Sequence, residues 1–336
     1  MINQTRSNHG EHGGFKKSTE YQQFIINSLC SSYLLPDLRG LNNPFLIITD
    51  DGHKRTKHSV INIIMKITKD KKFRKMAKEV AQVADCLWIN GWAERNAGNI
   101  SVNVSQITGV NTRNPGDHPD FPLPLAFPEL AGMSFFLTGT GKRMRDLARK
   151  PFRNTVLMTV NPEGTSYRMI RLNKIPGQDI QPTSELPTHL AIHQMIAQRK
   201  SGEKAVIHTH ATEVIALSQS PALKTKEALN SILWGMHPET MVFIPEGVGL
   251  VPYTLPGTTD IASLTVSELQ QHDVVIWEKH GVFAIGNAVA DVFDLIDIVC
   301  KSARIWFLCK SAGYDPEGLT GEQLTELKEL VSKLNL

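Results

Sequence analysis

From Phe73 onward the apolar residues of this 336-residue chain change period again and again, and that alternation limits the fold more than any other feature. Met76, Val80, Val83, Ala84 and Leu87 recur at the spacing of one helix face, whereas "NISVNVS" alternates as a half-buried strand does. "SFFLTGTGK" reads as a strand entering a glycine-rich turn, and "TVLMTV" with "SYRMIRL" as a hairpin across "NPEG". "SELPTHLAIHQMIAQRK" predicts a helix and "KAVIHTH" a strand, followed by two helical stretches to about Met236. "MVFIP" and "GLVPY" read as short strands, "TTDIASLTVSELQQH" as a helix and "DVVIWEKHGVFAIG" as a second hairpin. "AVADVFDLIDIVCKSARIWFLCKSAG" predicts a long helix, with a last short one after Leu319. Residues 106–130, rich in proline and glycine and without a period, predict a surface loop. Strands and helices alternate, yet hairpins recur. The expected fold is therefore α/β: one domain, an α/β/α sandwich around a central, largely antiparallel sheet.

Residues 1–64 do not share this pattern. They begin polar and rich in histidine and glycine ("NHGEHGG") and continue as short apolar pieces such as "FIINSLC" and "FLIITDDG". Met65 then opens "MKITKDKKFRKMAKEV", a charged lead into an amphipathic helix. The expectation is an N-terminal extension over residues 1–64, poorly ordered or a mis-assigned start, and a functional domain over residues 65–336.

Composition narrows the function classes. The formal net charge is +3, with no basic run in the body of the chain, which argues against a nucleic-acid partner. Cys30, Cys86, Cys300 and Cys309 show no paired spacing, as expected of reduced thiols in a cytoplasmic protein. No apolar run approaches the length of a membrane span, and the N-terminus lacks the order of a signal peptide.

Residues i and i+2 of a strand project to one face, so His208 and His210 form a same-face pair. Neutral imidazoles suit Zn²⁺, which in catalytic sites takes three protein ligands and keeps one position open. His280, at the turn of an apolar hairpin beside Gly281, is the third candidate. The pair alone is weak evidence, because one packed and one surface histidine would give the same spacing. His189 and His193, at i and i+4 on a helix, are a rival pair; "HLAIH" lacks the glutamate of HExxH enzymes, and a packing or supporting role fits better. "PTSELP" places Glu185 behind Thr183 and Ser184 at a helix start. That is either a cap with a favourably placed charge or an anion site with a base beside it. "ERNAGNIS" and "LTGTGK" are turns whose main-chain N–H groups can cradle phosphate. Neither matches a Walker A motif or a dinucleotide fingerprint.

Taken in order, Asn96–Asn99, Thr140-Gly141, Thr183–Glu185, His208/His210 and His280 resemble the pattern of the class II aldolase/adducin family over roughly residues 70–330. "NGWAERNAGN", "PTSELPTH", "LWGMHPE", "GVGLVPYTLPGT" and "WEKHGVFAIG" are similar to the branch of that family acting on L-rhamnulose 1-phosphate. Ala97 stands where a second glycine is common, the turn is "GTG" rather than "GSG", and residues 1–64 have no counterpart.

The resemblance implies zinc-dependent, reversible aldol cleavage of L-rhamnulose 1-phosphate to dihydroxyacetone phosphate and L-lactaldehyde. It implies one Zn²⁺ per subunit on His208, His210 and His280, and Glu185 as the base at carbon. Glu239 would reach a neighbouring subunit and manage the proton at the aldehyde oxygen; the residues alone would make it a solvated turn residue. Asn96, Asn99, Thr140, Gly141 and Ser184 would bind the phosphate. The assembly implied is a cyclic homotetramer, with a small-molecule sugar phosphate as ligand and neither nucleic acid nor membrane as partner. Glu213, three residues after His210, is given no catalytic role. A pentulose-phosphate 4-epimerase of the same family and a non-catalytic, adducin-like assembly module stay open. The module would have no need of three histidines and Glu185 together.

Overall fold

The period-2 stretches pair into one sheet. The computed structural model describes residues 66–108, 120–170, 172 and 180–334, all within the larger of the chain's two compact units, Asp50–Leu336. The extension expected over residues 1–64 lies outside the described residues. The strands are β1 (Asn99–Asn103), β2 (Phe121–Pro122), β3 (Ser134–Thr138), β4 (Thr155–Val160), β5 (Ser166–Ile170), β6 (Ala205–Thr209), β7 (Gly249–Val251), β8 (Val274–Trp277) and β9 (Gly281–Gly286). Their order is β2-β5-β4-β3-β1-β6-β9-β8-β7. Each neighbouring pair is antiparallel except β7–β8. Both expected hairpins form, β4–β5 and β8–β9.

The principal helices are α1 (Lys71–Ile89), α2 (Met144–Arg149), α3 (Leu186–Arg199), α4 (Thr212–Ser218), α5 (Lys226–Met236), α6 (Pro238–Phe243), α7 (Thr259–Leu269), α8 (Val289–Ser311) and α9 (Gly321–Leu334). Alternate strand residues serve different helices, as the pleat requires. Ile100, Val102, Ala205, Ile207, Val282 and Ala284 join the core under α1, α4, α5 and α8. Val206, Phe283 and Ile285 face the other way and pack with Ile192, Met195 and Ile196 of α3 and Ile261 of α7. The result is the expected sandwich, with helices on both faces. Asp70 caps α1, accepting the Phe73 N–H at 2.8 Å, and the apolar stripe read from the sequence is its buried face.

Two local readings are corrected. "MVFIP" is the end of α6 and the turn after it, not a strand. A short apolar run has no period of its own, and Pro238 in the first turn, where its missing N–H costs nothing, starts a helix instead. The expected loop over 106–130 is partly ordered in the sheet: Phe121–Pro122 pairs with β5 at the edge, where proline is tolerated. Residues 109–119 of it lie outside the described residues.

For the site, the decisive register is at the sheet's centre. Asn99 of β1 pairs with His208 of β6, which pairs with Phe283 of β9. One step along, Ser101 pairs with Val206 and Val206 with Ile285. These rows lie on the face covered by α3.

Candidate metal centre and active site

His208 is on β6, His210 just beyond its end, and His280 in the turn between β8 and β9. One ligand nitrogen from each lies within 4.8 Å of the others. The ring centroids are 5.3 Å apart for His208–His210, 5.1 Å for His208–His280 and 4.9 Å for His210–His280. Close approach of the hairpin turn depends on Gly281, where a Cβ would stand 2.4 Å from the carbonyl oxygen of Thr209. On the other side the turn leading into β1 depends on Gly98, which has φ +77° and would place a Cβ 3.1 Å from the His208 carbonyl.

The hydrogen bonds around the imidazoles fit a divalent cation. His208 donates Nδ1–H to the carbonyl of Val282 at 3.1 Å, which leaves Nε2 bare, buried and without a hydrogen-bond partner. Nδ1 of His280 is likewise buried and unpartnered. His210 donates Nδ1–H to Glu94 at 2.7 Å, leaving its Nε2 bare. Such outer contacts fix the tautomer of a ligating histidine. Burial, helped by nearby His210, holds His208 well below the usual imidazole range. Burial first, then His208 and His210, push His280 down to about 3. Both rings are therefore neutral donors at physiological pH, and a buried bare nitrogen is costly unless something binds it.

Glu185 completes the cluster. It stands at the N-cap position of α3, but its side chain does not cap the helix. Its Oε2 instead accepts from Asn99 Nδ2 at 2.9 Å and lies 3.6 Å from His208 Nε2. The side chain is 13 % exposed. Burial raises its pKa, while the Asn99 N–H and the neighbouring His280 and His210 pull it back. The sequence leaves open a Thr183 or Ser184 cap with Glu185 as a favourable charge, or a base beside a site; Thr183 Oγ1 does accept the Glu185 N–H at 3.3 Å, while the Glu185 carboxylate is turned to Asn99 and His208.

The turn segments converge through Thr138. Its hydroxyl oxygen accepts the Ile100 N–H at 3.0 Å, and its carbonyl accepts the Thr183 N–H at 3.0 Å. Thr140 N–H donates to the carbonyl of Gln181 at 2.8 Å. Asn99, Thr140, Gly141 and Ser184 are thus brought to one end of the sheet. Asn99 is 6 % exposed and spans Glu185 and His189 with its amide, while Ser184 and Asn96 are exposed. A cavity of about 410 Å³ opens beside His210, lined also by Gly91, Glu94 and Thr212.

Glu239, in the first turn of α6, stands apart from this cluster: its carboxylate pairs with His237 at 3.1 Å, and its side chain is 52 % exposed. Glu213 pairs with Arg304 and accepts from the Trp92 indole at 2.9 Å.

Two participants were missed in the sequence. Glu94 is 116 residues from its partner His210, so no spacing reveals it. Ser101 is 1 % exposed and bonds both His189 and His193. Its signal was available: "NISVN" puts polar residues on one strand face, and that face is buried under α3.

The family profile described as Class II Aldolase and Adducin N-terminal domain matches residues 78–307. A rhamnulose-1-phosphate aldolase of Bacteroides thetaiotaomicron is 40 % identical over 254 residues, covering 75 % of this chain and 93 % of that protein. A second, from Yersinia pseudotuberculosis, is 36 % identical over 244 residues, 72 % of this chain and 88 % of that protein. Among solved structures, a sugar-phosphate aldolase from Thermotoga maritima superposes with a TM-score of 0.61 at 31 % identity, covering 74 % of this chain and 100 % of that one. Three histidines gathered at the ends of neighbouring strands, a carboxylate beside them and a match over most of the chain lead to one conclusion: the chain belongs to the class II aldolase and adducin N-terminal domain family.

Proposed function

We propose that this chain catalyses the reversible aldol cleavage of L-rhamnulose 1-phosphate to dihydroxyacetone phosphate and L-lactaldehyde. The observation that carries the reading is the convergence of His208, His210 and His280, the first and last with buried bare nitrogens, beside the restrained carboxylate of Glu185. The names of its relatives supply the substrate.

A divalent ion on the three imidazoles, zinc in this reading and one per subunit, supplies Lewis acidity that offsets the negative charge left on the dihydroxyacetone phosphate half. Glu185 handles the proton at carbon: it removes it in the synthetic direction and returns it in cleavage. A carboxyl whose pKa is raised by burial is a stronger base than a solvated one. Asn96, Asn99, Thr140, Gly141 and Ser184 hold the phosphate with amide, hydroxyl and main-chain donors. Binding that remote group fixes the reacting carbons against Glu185. Glu239 manages the proton at the aldehyde oxygen of a neighbouring subunit; its half-exposed carboxylate, paired with His237, stands at the surface where another subunit could meet it. That role requires an oligomer, which we take to be a cyclic tetramer. We place the enzyme in the cytoplasm and its catalytic domain at residues 65–336. No helix among the described residues is long and apolar enough to cross a membrane.

A pentulose-phosphate 4-epimerase would use the same residues. Assaying the two substrates side by side separates them. Release of dihydroxyacetone phosphate from L-rhamnulose 1-phosphate, followed with a coupled reductase, is expected, with no epimerisation of L-ribulose 5-phosphate. The opposite pattern would overturn the reading.

A further inference from the structure

His189 and His193 lie one helical turn apart on α3, and the metal centre leaves both aside. Ser101 of β1 sits between them, its Oγ 2.7 Å from Nδ1 of His189 and 2.9 Å from Nε2 of His193. Nε2 of His189 hydrogen-bonds Oδ1 of Asn99, whose Nδ2 donates to Oε2 of Glu185 at 2.9 Å. His189, Ser101 and His193 are at most 2 % exposed. Phe283 flanks His189 and Phe135 flanks His193, with ring centroids 5.7 Å and 4.7 Å away.

One assignment of hydrogens satisfies the whole chain of contacts. Oε2 of Glu185 accepts, so Asn99 presents its amino group there and its oxygen to His189. His189 must then carry its hydrogen on Nε2, which leaves Nδ1 to accept from the Ser101 hydroxyl. The Ser101 oxygen in turn accepts from Nε2–H of His193. Every link donates towards Glu185. An asparagine amide has two orientations of nearly equal shape. Reversed, the Asn99 oxygen would face a carboxylate oxygen, two acceptors with no hydrogen between them.

We propose that His189 is a positioning residue for Glu185: its Nε2–H locks the Asn99 amide in the orientation that anchors Oε2. Oε1 is then the oxygen that exchanges a proton with substrate. Ser101 and His193 hold His189 in the required tautomer. The proposal rests on the reading of Glu185 as the base at carbon.

The test measures that base directly, as exchange of the carbon-bound hydrogen of dihydroxyacetone phosphate with solvent deuterium by the metal-loaded, full-length enzyme. H189L removes the donor and keeps an apolar filling, whereas H189Q returns an amide N–H near the Nε2 position. H189L is expected to slow exchange and kcat together by about 10- to 100-fold. Metal content should be unchanged, and any rise in KM for the ketose phosphate should be smaller than in N99A, which loses the Asn99 amide altogether. H189Q should recover most of the loss, and H189L should add nothing to N99A. If H189L fails to fold, S101A, which removes one hydroxyl, should give a smaller loss in both rates. Unaltered exchange in H189L or S101A would overturn the proposal, as would an H189Q variant as slow as H189L, or additivity with N99A. E185Q separates the two levels. Unchanged exchange in E185Q overturns the reading of Glu185, whereas loss in E185Q with none in H189L overturns the positioning alone.

Discussion

Nδ1 of His210 lies 2.7 Å from Oε1 of Glu94, an exposed contact at the edge of the histidine cluster. The carboxylate accepts the Nδ1 hydrogen and leaves Nε2 as the ligand atom. Glu94→Ala should weaken metal binding by about 10- to 100-fold, the usual cost of losing such a partner. Glu94→Gln keeps an acceptor and should cost less. Competition with a chromophoric chelator measures both, and equal affinity in all three proteins would deny Glu94 its role.

Gly281 is where the hairpin presses against β6. In Gly281→Ala the new methyl would stand 2.4 Å from the Thr209 carbonyl and 3.2 Å from Cε1 of His208, so the turn carrying His280 must retreat. Overpacking of this kind costs about 1–3 kcal/mol. Urea titration should register that loss, and metal affinity should fall with it because one of three ligands moves. A variant with native stability and full metal content would show the approach to be looser than described.

Activity should have an acid limb set by Glu185. Its pKa is raised from 4.5 by burial and partly restored by the Asn99 hydrogen bond. A base works only when deprotonated, so kcat should fall as pH drops through a value above 4.5. Removing the Asn99 donor takes away a term that favours the carboxylate, so Asn99→Ala should move the limb to higher pH. A pH–rate profile that moves the other way would contradict the assignment.

Stability should carry its own pH dependence from His193. Burial lowers its pKa from 6.5 to about 3 in the folded chain. The unfolded chain binds the proton first, so stability is full above pH 6.5 and is lost as pH falls from there towards 3. The slope is about 1.4 kcal/mol per pH unit for such a group. Urea unfolding of the wild type and His193→Leu at pH 7 and pH 5 should show a smaller acid penalty in the variant.

Much of this was legible in the sequence, and the exceptions have physical reasons. The two hairpins and the long helices were readable because strand and helix periods leave different marks. "MVFIP" was not, since five consecutive apolar residues carry neither mark and Pro238 decided the matter. His208, His210 and His280 could be found because a strand aims alternate residues at one face and a glycine marks the close turn. Glu94 could not, because what pairs it with His210 is the fold. Ser101 shows a subtler limit. Alternation in "NISVN" ordinarily means one face in water, yet Asn99 and Ser101 face α3, which brings two histidines to meet them.

Strands β6 and β9, at whose ends the three histidines stand, are sixth and seventh of the nine described, flanked by β1 on one side and β8 on the other. The middle of a sheet is the part least given to opening, and its backbone amides should be the slowest to exchange with deuterated water. Stripping out the ion with a chelator should therefore leave those amides protected. Loss and recovery of activity should then be a matter of ion exchange at a standing scaffold, reversible without refolding.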